Sequence, residues 1–290
     1  MIKSKTTTTL ELDHDRNIRH AYTSLYQGYD REGRLISKIV YNASGEADQK
    51  TLYTFSEEGQ LIEQTVFARQ DRLQERIDYF YEEGQLIRTE TTQADGEKSI
   101  KEYHYDPVEN IEKAVLNSAN GEIEGFEILW YGSGNEVIAE VKTDTHNRTA
   151  YKRFATYDGA GRLVMEEIFG RDEVFEKRTI YRYTPEGLLT EITAQGPSKK
   201  LLNTEAFTYN SEGQMLERTI TQHTENKDIR IRYRYNQAGK QIADETYEND
   251  RLIFRSLAKH DRQGNLVEEE IISVNHSPLH AIRKHVIEYW

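Results

Sequence analysis

The feature that most constrains the fold of this chain is an internal repeat. An aromatic-Asp-x-x-Gly-Arg-Leu unit stands unaltered twice: one copy contains Tyr29, Asp30, Gly33 and Leu35, and the other contains Tyr157, Asp158, Gly161 and Leu163. Looser copies are centred on Gly59, Gly84, Gly134, Gly187, Gly213, Gly239 and Gly264, with Glu109 in the glycine position of one more. Successive centres are 25–27 residues apart. Such a period indicates an array of stacked supersecondary units.

Each repeat predicts two β-strands joined by a tight turn. Before the turn, aromatic residues alternate with polar ones, as in Tyr181-Arg182-Tyr183, and this period of two is typical of a strand. Glycine at the centre provides the positive φ that a tight turn needs, and Asp, Asn or Ser at its start bonds the backbone ahead of it. An apolar pair such as Leu61-Ile62 opens the second strand, and a polar loop such as residues 42–50 leads to the next repeat.

The predicted fold class is all-β: a long antiparallel meander of about ten tandem β-hairpin units. Open, strongly twisted sheets rarely exceed about ten strands without curling or splitting. We therefore expect a curved, spiralling or partly closed sheet. A single domain is predicted over residues 1–290, with a degenerate N-terminal cap at 1–28, repeats at 29–266 and closing strands at 267–290.

Composition limits the classes of partner and of chemistry. The 290 residues carry 50 acidic and 38 basic side chains, a formal net charge of −12. This acidity disfavours nucleic acid, whose binding depends on Lys and Arg, and either favours a basic protein partner or simply keeps the protein soluble. The absence of cysteine excludes disulfides and thiolate metal sites. No apolar run suits a membrane helix and no signal peptide is visible, so we expect a cytoplasmic protein without a membrane partner.

Catalytic and cofactor motifs are missing from the sequence, so we expect a protein that is not an enzyme and has no cofactor. There is no phosphate-binding Gly-x-x-x-x-Gly-Lys-Ser/Thr loop, no His-Glu-x-x-His zinc motif and no Gly-x-Ser-x-Gly nucleophile turn. The only histidine cluster contains His276, His280 and His285. We interpret it as a polar C-terminal turn before a closing strand rather than as a metal site.

Two sets of residues are candidates for contacts with a partner. The glutamate pairs Glu57-Glu58 and Glu82-Glu83 fall in predicted hairpin turns, where they form either an acidic docking edge for a basic protein or a solubilising surface. The aromatic position of the repeat holds the second set: Tyr157, Tyr183, Tyr209 and Tyr235. These tyrosines form either a ladder that stabilises neighbouring strands, by about 0.2–1 kcal/mol per cross-strand pair, or a row of rings that contacts a partner.

At these motifs the sequence resembles the YD-repeat, or Rhs-repeat, family of bacterial polymorphic-toxin systems. The resemblance rests on Tyr29-Asp30…Gly33-Arg34-Leu35 and Tyr157-Asp158…Gly161-Arg162-Leu163, and the weaker copies extend it over nearly the whole chain. It implies long β-sheets that spiral into a shell around a toxic polypeptide. This chain is too short for that role, and its Asp106-Pro107 is followed by Val108-Glu109 rather than by the family's core-ending stretch. The resemblance therefore implies a small free-standing member, an accessory or immunity protein encoded beside such a system.

Three functional hypotheses follow from these observations. The first is a non-enzymatic protein-binding module, most concretely an immunity protein that neutralises a cognate basic toxin or effector by covering its active site. The second is an effector-encapsulating or chaperone-like accessory of an Rhs or secretion system. The third is a carbohydrate-binding or adhesion repeat protein that uses its aromatic face, and the missing export signal weighs against it.

Overall fold

The computed structural model describes residues 1–106, 110–118, 120–146, 148–274 and 279–290. Within these ranges the regular structure is β-strand, apart from single turns of 3₁₀ helix at Arg69–Asp71, Arg171–Glu173 and Pro197–Lys199. No helix in the described ranges is long and apolar enough to cross a membrane. The strands, in chain order, are β1 (Ile2–Leu12), β2 (Ile18–Tyr29), β3 (Leu35–Tyr41), β4 (Ala47–Phe55), β5 (Leu61–Ala68), β6 (Arg72–Glu82), β7 (Gln85–Gln93), β8 (Lys98–Tyr105), β9 (Ile111–Ser118), β10 (Ile123–Tyr131), β11 (Val137–Asp144), β12 (Thr149–Tyr157), β13 (Leu163–Phe169), β14 (Phe175–Tyr183), β15 (Leu189–Gln195), β16 (Leu201–Tyr209), β17 (Met215–Gln222), β18 (Lys227–Tyr235), β19 (Gln241–Glu248), β20 (Arg251–His260), β21 (Leu266–Ser273) and β22 (Leu279–Tyr289).

Two compact units make up the chain. Unit 1 comprises Met1–Asp78, Thr92–Gly96 and Ile229–Trp290, and unit 2 comprises Tyr79–Thr91 and Glu97–Asp228. In unit 1, neighbouring strands pair antiparallel in the order β18-β19-β20-β21-β22-β1-β2-β3-β4-β5-β6. In unit 2, strands β8 to β17 pair antiparallel in chain order. Tandem hairpins are therefore present as the repeat predicts, whereas the boundaries of a single domain stay a prediction.

The predicted curved, spiralling or partly closed sheet is wrong, because the sheet is closed. The 22 strands belong to one antiparallel sheet, and β1 pairs with β22 from Ile2 opposite Tyr289 to Glu11 opposite Ala281. An unpaired strand edge leaves a row of backbone N–H and C=O groups without partners. Pairing the first strand with the last satisfies both rows at once, which an open meander does not.

A β-bulge recurs in the repeat hairpins, directly before the motif aromatic. In the β12–β13 hairpin, Thr156 lies opposite Met165 while Tyr157 lies opposite Leu163, so Val164 is an extra residue in its strand. This explains why two apolar residues follow each turn in a strand whose side chains otherwise alternate: the second occupies the bulge. The aliphatic bulge residues are Ile36, Ile62, Ile138, Val164, Leu216, Ile242 and Val267.

Small side chains occupy most of the buried positions of both units. They include Ala114, Ala155, Ala194, Ala243, Ala281, Thr7, Thr9, Thr51, Thr65, Thr89 and Thr179. Among the described residues, no large side chain is completely buried. Thr51 lies opposite Val66 and Thr65 lies opposite Leu52, so these two buried threonines point to opposite faces of the sheet. Both faces are partly covered, and contacts between neighbouring strands stabilise the fold in place of a central apolar core.

Candidate functional site

The turn of the repeat is built around its aspartate. The Asp158 carboxylate accepts backbone hydrogen bonds from Ala160 (2.9 Å) and Arg162 (3.0 Å), and its second oxygen accepts one from the Arg162 Nε (2.7 Å). The Gly161 N–H donates to the Asp158 carbonyl, and Gly161 has a φ of +75°. Hydrogen bonds from Arg162 hold the pKa of the Asp158 carboxyl below its usual value, so this carboxyl is ionised at neutral pH. The motif therefore encodes a self-capped turn.

The same turn is used more widely than the motif predicts. Asp30 binds the backbone of Glu32 and Arg34 in the same way, and Gly33 has a φ of +85°. Asn42 binds the backbone of Ser44 and Glu46 in the β3–β4 connection, which the sequence predicts as a polar loop. Central glycines of the looser copies with positive φ are Gly59, Gly84, Gly187, Gly213, Gly239 and Gly264. Glu109 lies outside the described residues.

The β10–β11 hairpin shifts the motif by one residue. There Asn135 has the positive φ, +69°, and donates its N–H to the Gly132 carbonyl, so it takes the place expected for Gly134. Tyr131, rather than Trp130, lies opposite the first residue of the next strand, Val137. The repeat pattern predicts the turn one residue too early here, because Gly134 fits the glycine position of the motif in sequence while Asn135 occupies it in the structure.

The repeat tyrosines link each hairpin to the one before it. The Tyr183 hydroxyl donates to the carbonyl of Leu163 (2.8 Å), which is the leucine of the preceding motif. Equivalent bonds join Tyr157 to the carbonyl of Val137 (3.1 Å) and Tyr209 to that of Leu189 (2.8 Å). Burial raises the pKa of the Tyr183 and Tyr209 hydroxyls. These three hydroxyls are therefore occupied inside the sheet rather than offered to a ligand.

The fourth candidate tyrosine, Tyr235, is half-buried at the end of β18 in unit 1, and burial raises the pKa of its hydroxyl.

The arginines of the two unaltered motifs also reach from one hairpin to the next. The Arg162 guanidinium lies 5.0 Å from the ring centre of Tyr183, and that of Arg34 lies 4.8 Å from Phe55. A cation over a ring face is attracted by the ring quadrupole. The aromatic positions of successive hairpins are thus held by an arginine of the preceding motif.

The candidate glutamates lie at the exposed tips of the turns. Glu57 and Glu58 occupy the β4–β5 turn in unit 1, while Glu82 ends β6 and Glu83 begins the β6–β7 turn in unit 2. Hydrogen bonds from its own backbone N–H and from Ser56 lower the pKa of Glu58. Within the described residues none of the four has an ion-pair partner.

The acidic pattern at the turns is wider than the adjacent glutamate pairs indicate. The residue directly before the central glycine is an exposed glutamate in five repeats: Glu32, Glu58, Glu83, Glu186 and Glu212. The signal for it in the sequence is the constant position of the glutamate relative to the central glycine. An exposed carboxylate therefore recurs at the same turn position in both units.

Several polar side chains of unit 1 lie close together on the sheet face that carries Tyr233. They come from different strands and share no sequence motif. The Ser256 hydroxyl donates to Glu269 (3.0 Å), and the Arg283 guanidinium contacts the second Glu269 oxygen (3.3 Å). Burial raises the pKa of the nearby Asp244 carboxyl, and the charge of Glu269 adds to this shift. The Asp244 carboxyl therefore favours its neutral form more than an exposed aspartate does.

The C-terminal histidines His280 and His285 contact different residues and do not form a cluster. His280 contacts Glu270 (2.7 Å), whereas His285 shares a hydrogen bond with the Thr7 hydroxyl (2.9 Å) across the β1–β22 pair. Burial and the charge of Lys5 lower the pKa of His285. His276 lies outside the described residues. No group of three or more carboxylate or imidazole side chains suited to a metal occurs in the described part of the chain.

Fold and contacts together define an all-β protein of tandem hairpins, in which the repeated residues link one hairpin to the next. A family model described as "Uncharacterised protein" matches residues 11–111 and 196–280, more than half of the chain, and the chain belongs to that family. No curated protein matches the chain.

Several solved structures are similar over most of the chain. A crystal structure of TcdB2-TccC3-TEV shares 11% identity over 98% of this chain, with a TM-score of 0.46, and one of TcdB2-TccC3 without its hypervariable C-terminal region shares 9% over 98%, with a TM-score of 0.35. The chain spans only 20% and 22% of the lengths of those two chains. A porin-like protein from Bacteroides uniformis shares 10% identity over 98% of this chain and 97% of its own, with a TM-score of 0.33. Because all three scores are below 0.5, neither fold nor function is inferred from them.

Proposed function

We propose that this protein is a non-enzymatic protein-binding module of the YD-repeat type. We propose specifically that it is a cytoplasmic immunity protein that binds and neutralises a basic toxin or effector. The observation that carries the proposal is a set of exposed carboxylates at the repeat turns that have no ion-pair partner among the described residues: Glu57, Glu58, Glu82 and Glu83. Exposed carboxylates without an ion-pair partner keep their net charge available, and they steer a cationic protein toward the turns.

The side chains of the motif are engaged in intramolecular hydrogen bonds, which supports a binding role over a catalytic one. Asp158 and Arg162 are used within their own turn, and the hydroxyl of Tyr183 is used between hairpins. The same occupation weakens the carbohydrate-binding hypothesis, since rings that bind sugars commonly add hydroxyl contacts to stacking. The chaperone-like hypothesis is separated from immunity by experiment, because both predict binding and only immunity predicts that the effector is inactivated.

The proposal is tested by co-expressing the protein with basic toxins encoded beside its gene and measuring both binding and toxin activity. We expect a stoichiometric complex in which the toxin is inactive. A variant carrying Glu57→Gln, Glu58→Gln, Glu82→Gln and Glu83→Gln should bind at least tenfold more weakly at low salt and should show a reduced salt dependence.

The matched control removes four exposed acids elsewhere: Glu122→Gln, Glu124→Gln, Asp172→Asn and Glu225→Gln. Both variants change the net charge equally, so only the position of the charge differs, and the control should bind within twofold of the wild type. Equal binding by both variants would overturn the acidic turns as the docking edge. A complex in which the effector stays active would favour the chaperone-like hypothesis, and retention on glycans without a protein partner would favour carbohydrate binding.

A further inference from the structure

A pocket opens between two neighbouring repeat hairpins of unit 1, β18–β19 and β20–β21. Strands β19 and β20 pair as far as Ala243 opposite Leu257, and the residues nearer the two turns, all within the described ranges, do not pair with each other. The gap between the hairpins is a pocket of about 590 Å³, with Ile242 and Ala258 among its lining residues. Small-molecule sites in proteins commonly have volumes of about 300–1,000 Å³. The pocket is therefore large enough for an organic ligand.

A contact that joins other neighbouring hairpins is missing at this pocket. Elsewhere the motif arginine lies over the aromatic ring of the next hairpin, as Arg162 does at Tyr183, and the tyrosine hydroxyl donates to a carbonyl of the preceding hairpin. Here Lys240 and His260 occupy the two positions. The His260 Nδ1 is buried and has no hydrogen-bond partner in the described part of the chain. The tyrosine–carbonyl link of the repeat therefore does not explain the residues at this position.

The pocket carries a positive charge, although the chain as a whole has a net charge of −12. Lys240, Lys259 and Arg262 line the pocket together with the carboxylate of Asp261. The Lys259 ammonium is paired with the Glu268 carboxylate at 2.5 Å. With Glu268 included, three cations and two carboxylates surround the pocket, so its net charge is positive.

Two of these cations come together at the second turn. The Lys240 side chain reaches across from the first hairpin, so that a Cβ added to Gly264 would lie 3.3 Å from its ammonium. Arg262 belongs to the same turn as Gly264. Both Lys240 and Arg262 are exposed, and neither has an ion-pair partner in the ranges that the structure describes. Their charges are therefore available to a ligand.

Neither turn carries the exposed glutamate that precedes the central glycine in five other repeats. Ala238 occupies that position in the first turn and Gln263 in the second. The Asp261 carboxylate accepts hydrogen bonds from the backbone N–H groups of Gln263 (2.9 Å) and Asn265 (2.8 Å), and from the Asn265 side chain (2.9 Å). The charge of Asp261 is thus directed into its own turn, which leaves the two cations to attract an anion.

We infer that this pocket, here the β18–β21 pocket, binds a phosphorylated small molecule. Lys240 and Arg262 hold the phosphate, and the organic part lies against Ile242 and Ala258. A phosphate monoester carries a charge of about −1.5 to −2 at neutral pH, which matches two cations better than a carboxylate does. Guanidinium groups bind phosphate through paired hydrogen bonds, and a lysine adds a second positive charge. The inference goes beyond the proposed protein-binding function and does not depend on it.

Three ligands test this chemistry: phenyl phosphate, inorganic phosphate and benzoate. NMR titration of the full chain, labelled in its isoleucine methyl groups, reports binding at Ile242 directly. We expect phenyl phosphate to shift the Ile242 methyl signal and to bind at least fivefold more tightly than either of the others. Equal binding of inorganic phosphate would overturn the organic part of the ligand, and equal binding of benzoate would overturn the need for a dianion. Absence of a shift at Ile242 would overturn the site itself.

Paired variants locate the phosphate. Lys240→Gln with Arg262→Gln should weaken phenyl phosphate binding at least tenfold, whereas Lys240→Arg keeps the charge and should bind within twofold of the wild type. The control, Arg19→Gln with Lys199→Gln, removes two exposed cations that have no ion-pair partner in the described residues and do not line the pocket. Both double variants change the net charge equally, so the control should leave binding unchanged. Unchanged thermal unfolding by circular dichroism shows that each variant is folded. Equal weakening by the two double variants would overturn the inference, because the ligand would then respond to the charge of the whole protein.

Discussion

The repeat hairpins β12 to β15 of unit 2 and the pair that closes the sheet, β1 with β22, are stabilised by contacts of different range. In the repeat hairpins, Asp158 binds Arg162 four residues later and Tyr183 binds Leu163 twenty residues earlier. In the closing pair, the Ser4 hydroxyl donates to Glu288 (3.0 Å), and the Thr7 hydroxyl contacts His285. Repeat contacts recur along the chain, whereas closing contacts occur once and join the first strand to the last.

This difference predicts where the sheet is vulnerable. In a repeat array, each unit contacts mainly its neighbours, so the loss of one repeated contact leaves its copies intact. The closing pair has no copy, and it contains titratable and hydroxyl side chains in place of the arginine–aspartate and tyrosine–carbonyl links. Substitutions in the two regions should therefore differ in how many strands lose their protection from hydrogen exchange.

The largest effect is expected from a charge placed in the closing pair. Ala281 is 1% exposed and lies opposite both Glu11 of β1 and Ile271 of β21. Ala281→Glu would bury a carboxylate beside another one and should lower the free energy of unfolding by about 3 kcal/mol or more. Urea unfolding followed by circular dichroism measures this loss.

Hydrogen exchange then compares the two regions. Ala194→Glu, at a 2% exposed position of β15 in unit 2, is the matched variant. Ala281→Glu should release protection in β1 and β22, while Ala194→Glu should release it around β15. Loss of protection across the whole chain in both variants would contradict the idea that the closing pair opens separately.

A smaller effect is expected at the turn glycine. Gly161 has a φ of +75° with open space around it, so Gly161→Ala introduces backbone strain without a steric clash and should cost about 1–2 kcal/mol. Gly159, two residues earlier in the same turn, also has open space and has no positive φ. Gly159→Ala is therefore the control and should leave stability unchanged or raise it slightly. Equal losses at both positions in thermal or urea unfolding would show that φ is not the cause.

Sequence patterns predicted the strands and turns of the single hairpins, because these depend on residues close together in the sequence. The period of two around Tyr183 and the glycine of the turn at Gly161 are consequences of backbone geometry within a few residues, so they appear directly in the sequence. The bulge at Val164 was visible only as an unexplained apolar pair, because pairing register is a property of two strands. The tyrosine hydroxyl bonds depend on the spacing between hairpins, which the repeat period alone does not supply.

Closure and the polar cluster were beyond prediction for a different reason. The β1–β22 pairing joins residues as far apart in the sequence as Thr7 and His285, and no local pattern signals it. The Asp244, Ser256 and Glu269 cluster likewise forms across three strands with no shared motif. For the candidate surface, the glutamate pairs Glu57-Glu58 and Glu82-Glu83 were predicted from the sequence, whereas the glutamate that recurs directly before the central glycine was not.

A more modest effect is expected from the link between hairpins. Tyr183→Phe removes the hydroxyl that donates to Leu163 and leaves that carbonyl with one bond fewer, so it should cost about 0.5–1.5 kcal/mol. Tyr53→Phe is the control, because the Tyr53 hydroxyl has no hydrogen-bond partner in the described part of the chain. Urea unfolding of both variants measures the difference. Identical stability of the two variants would mean that the hydroxyl bond does not contribute to the repeat.

The most local effect is expected from acidification of the closing pair. His285 faces Thr7 and the cations Lys5 and Arg283, with Glu269 as the nearby anion, and burial lowers the pKa of its imidazole below the unfolded value of about 6.5. A lowered pKa in the folded state means that His285 favours folding above the unfolded pKa, and that this contribution is lost as the pH falls through the folded pKa. Asp244 acts in the opposite direction: because its pKa is raised, its contribution is present at low pH and is lost as the pH rises.

Two variants separate the titration of His285 in the closing pair from the opposed titration of Asp244 in β19. Hydrogen exchange of β1 and β22, corrected for intrinsic rates, should show less protection at pH 5.5 than at pH 7.5 in the wild type, and His285→Gln should remove most of this dependence because glutamine cannot be protonated. Asp244→Asn should leave it in place, since Asp244 opposes the histidine rather than causing its effect. His104→Gln, at an exposed position of β8 in unit 2, controls for histidine titration in general. If His285→Gln keeps the full pH dependence, another group titrates in the closing pair, and the contrast with the repeat hairpins does not depend on this histidine.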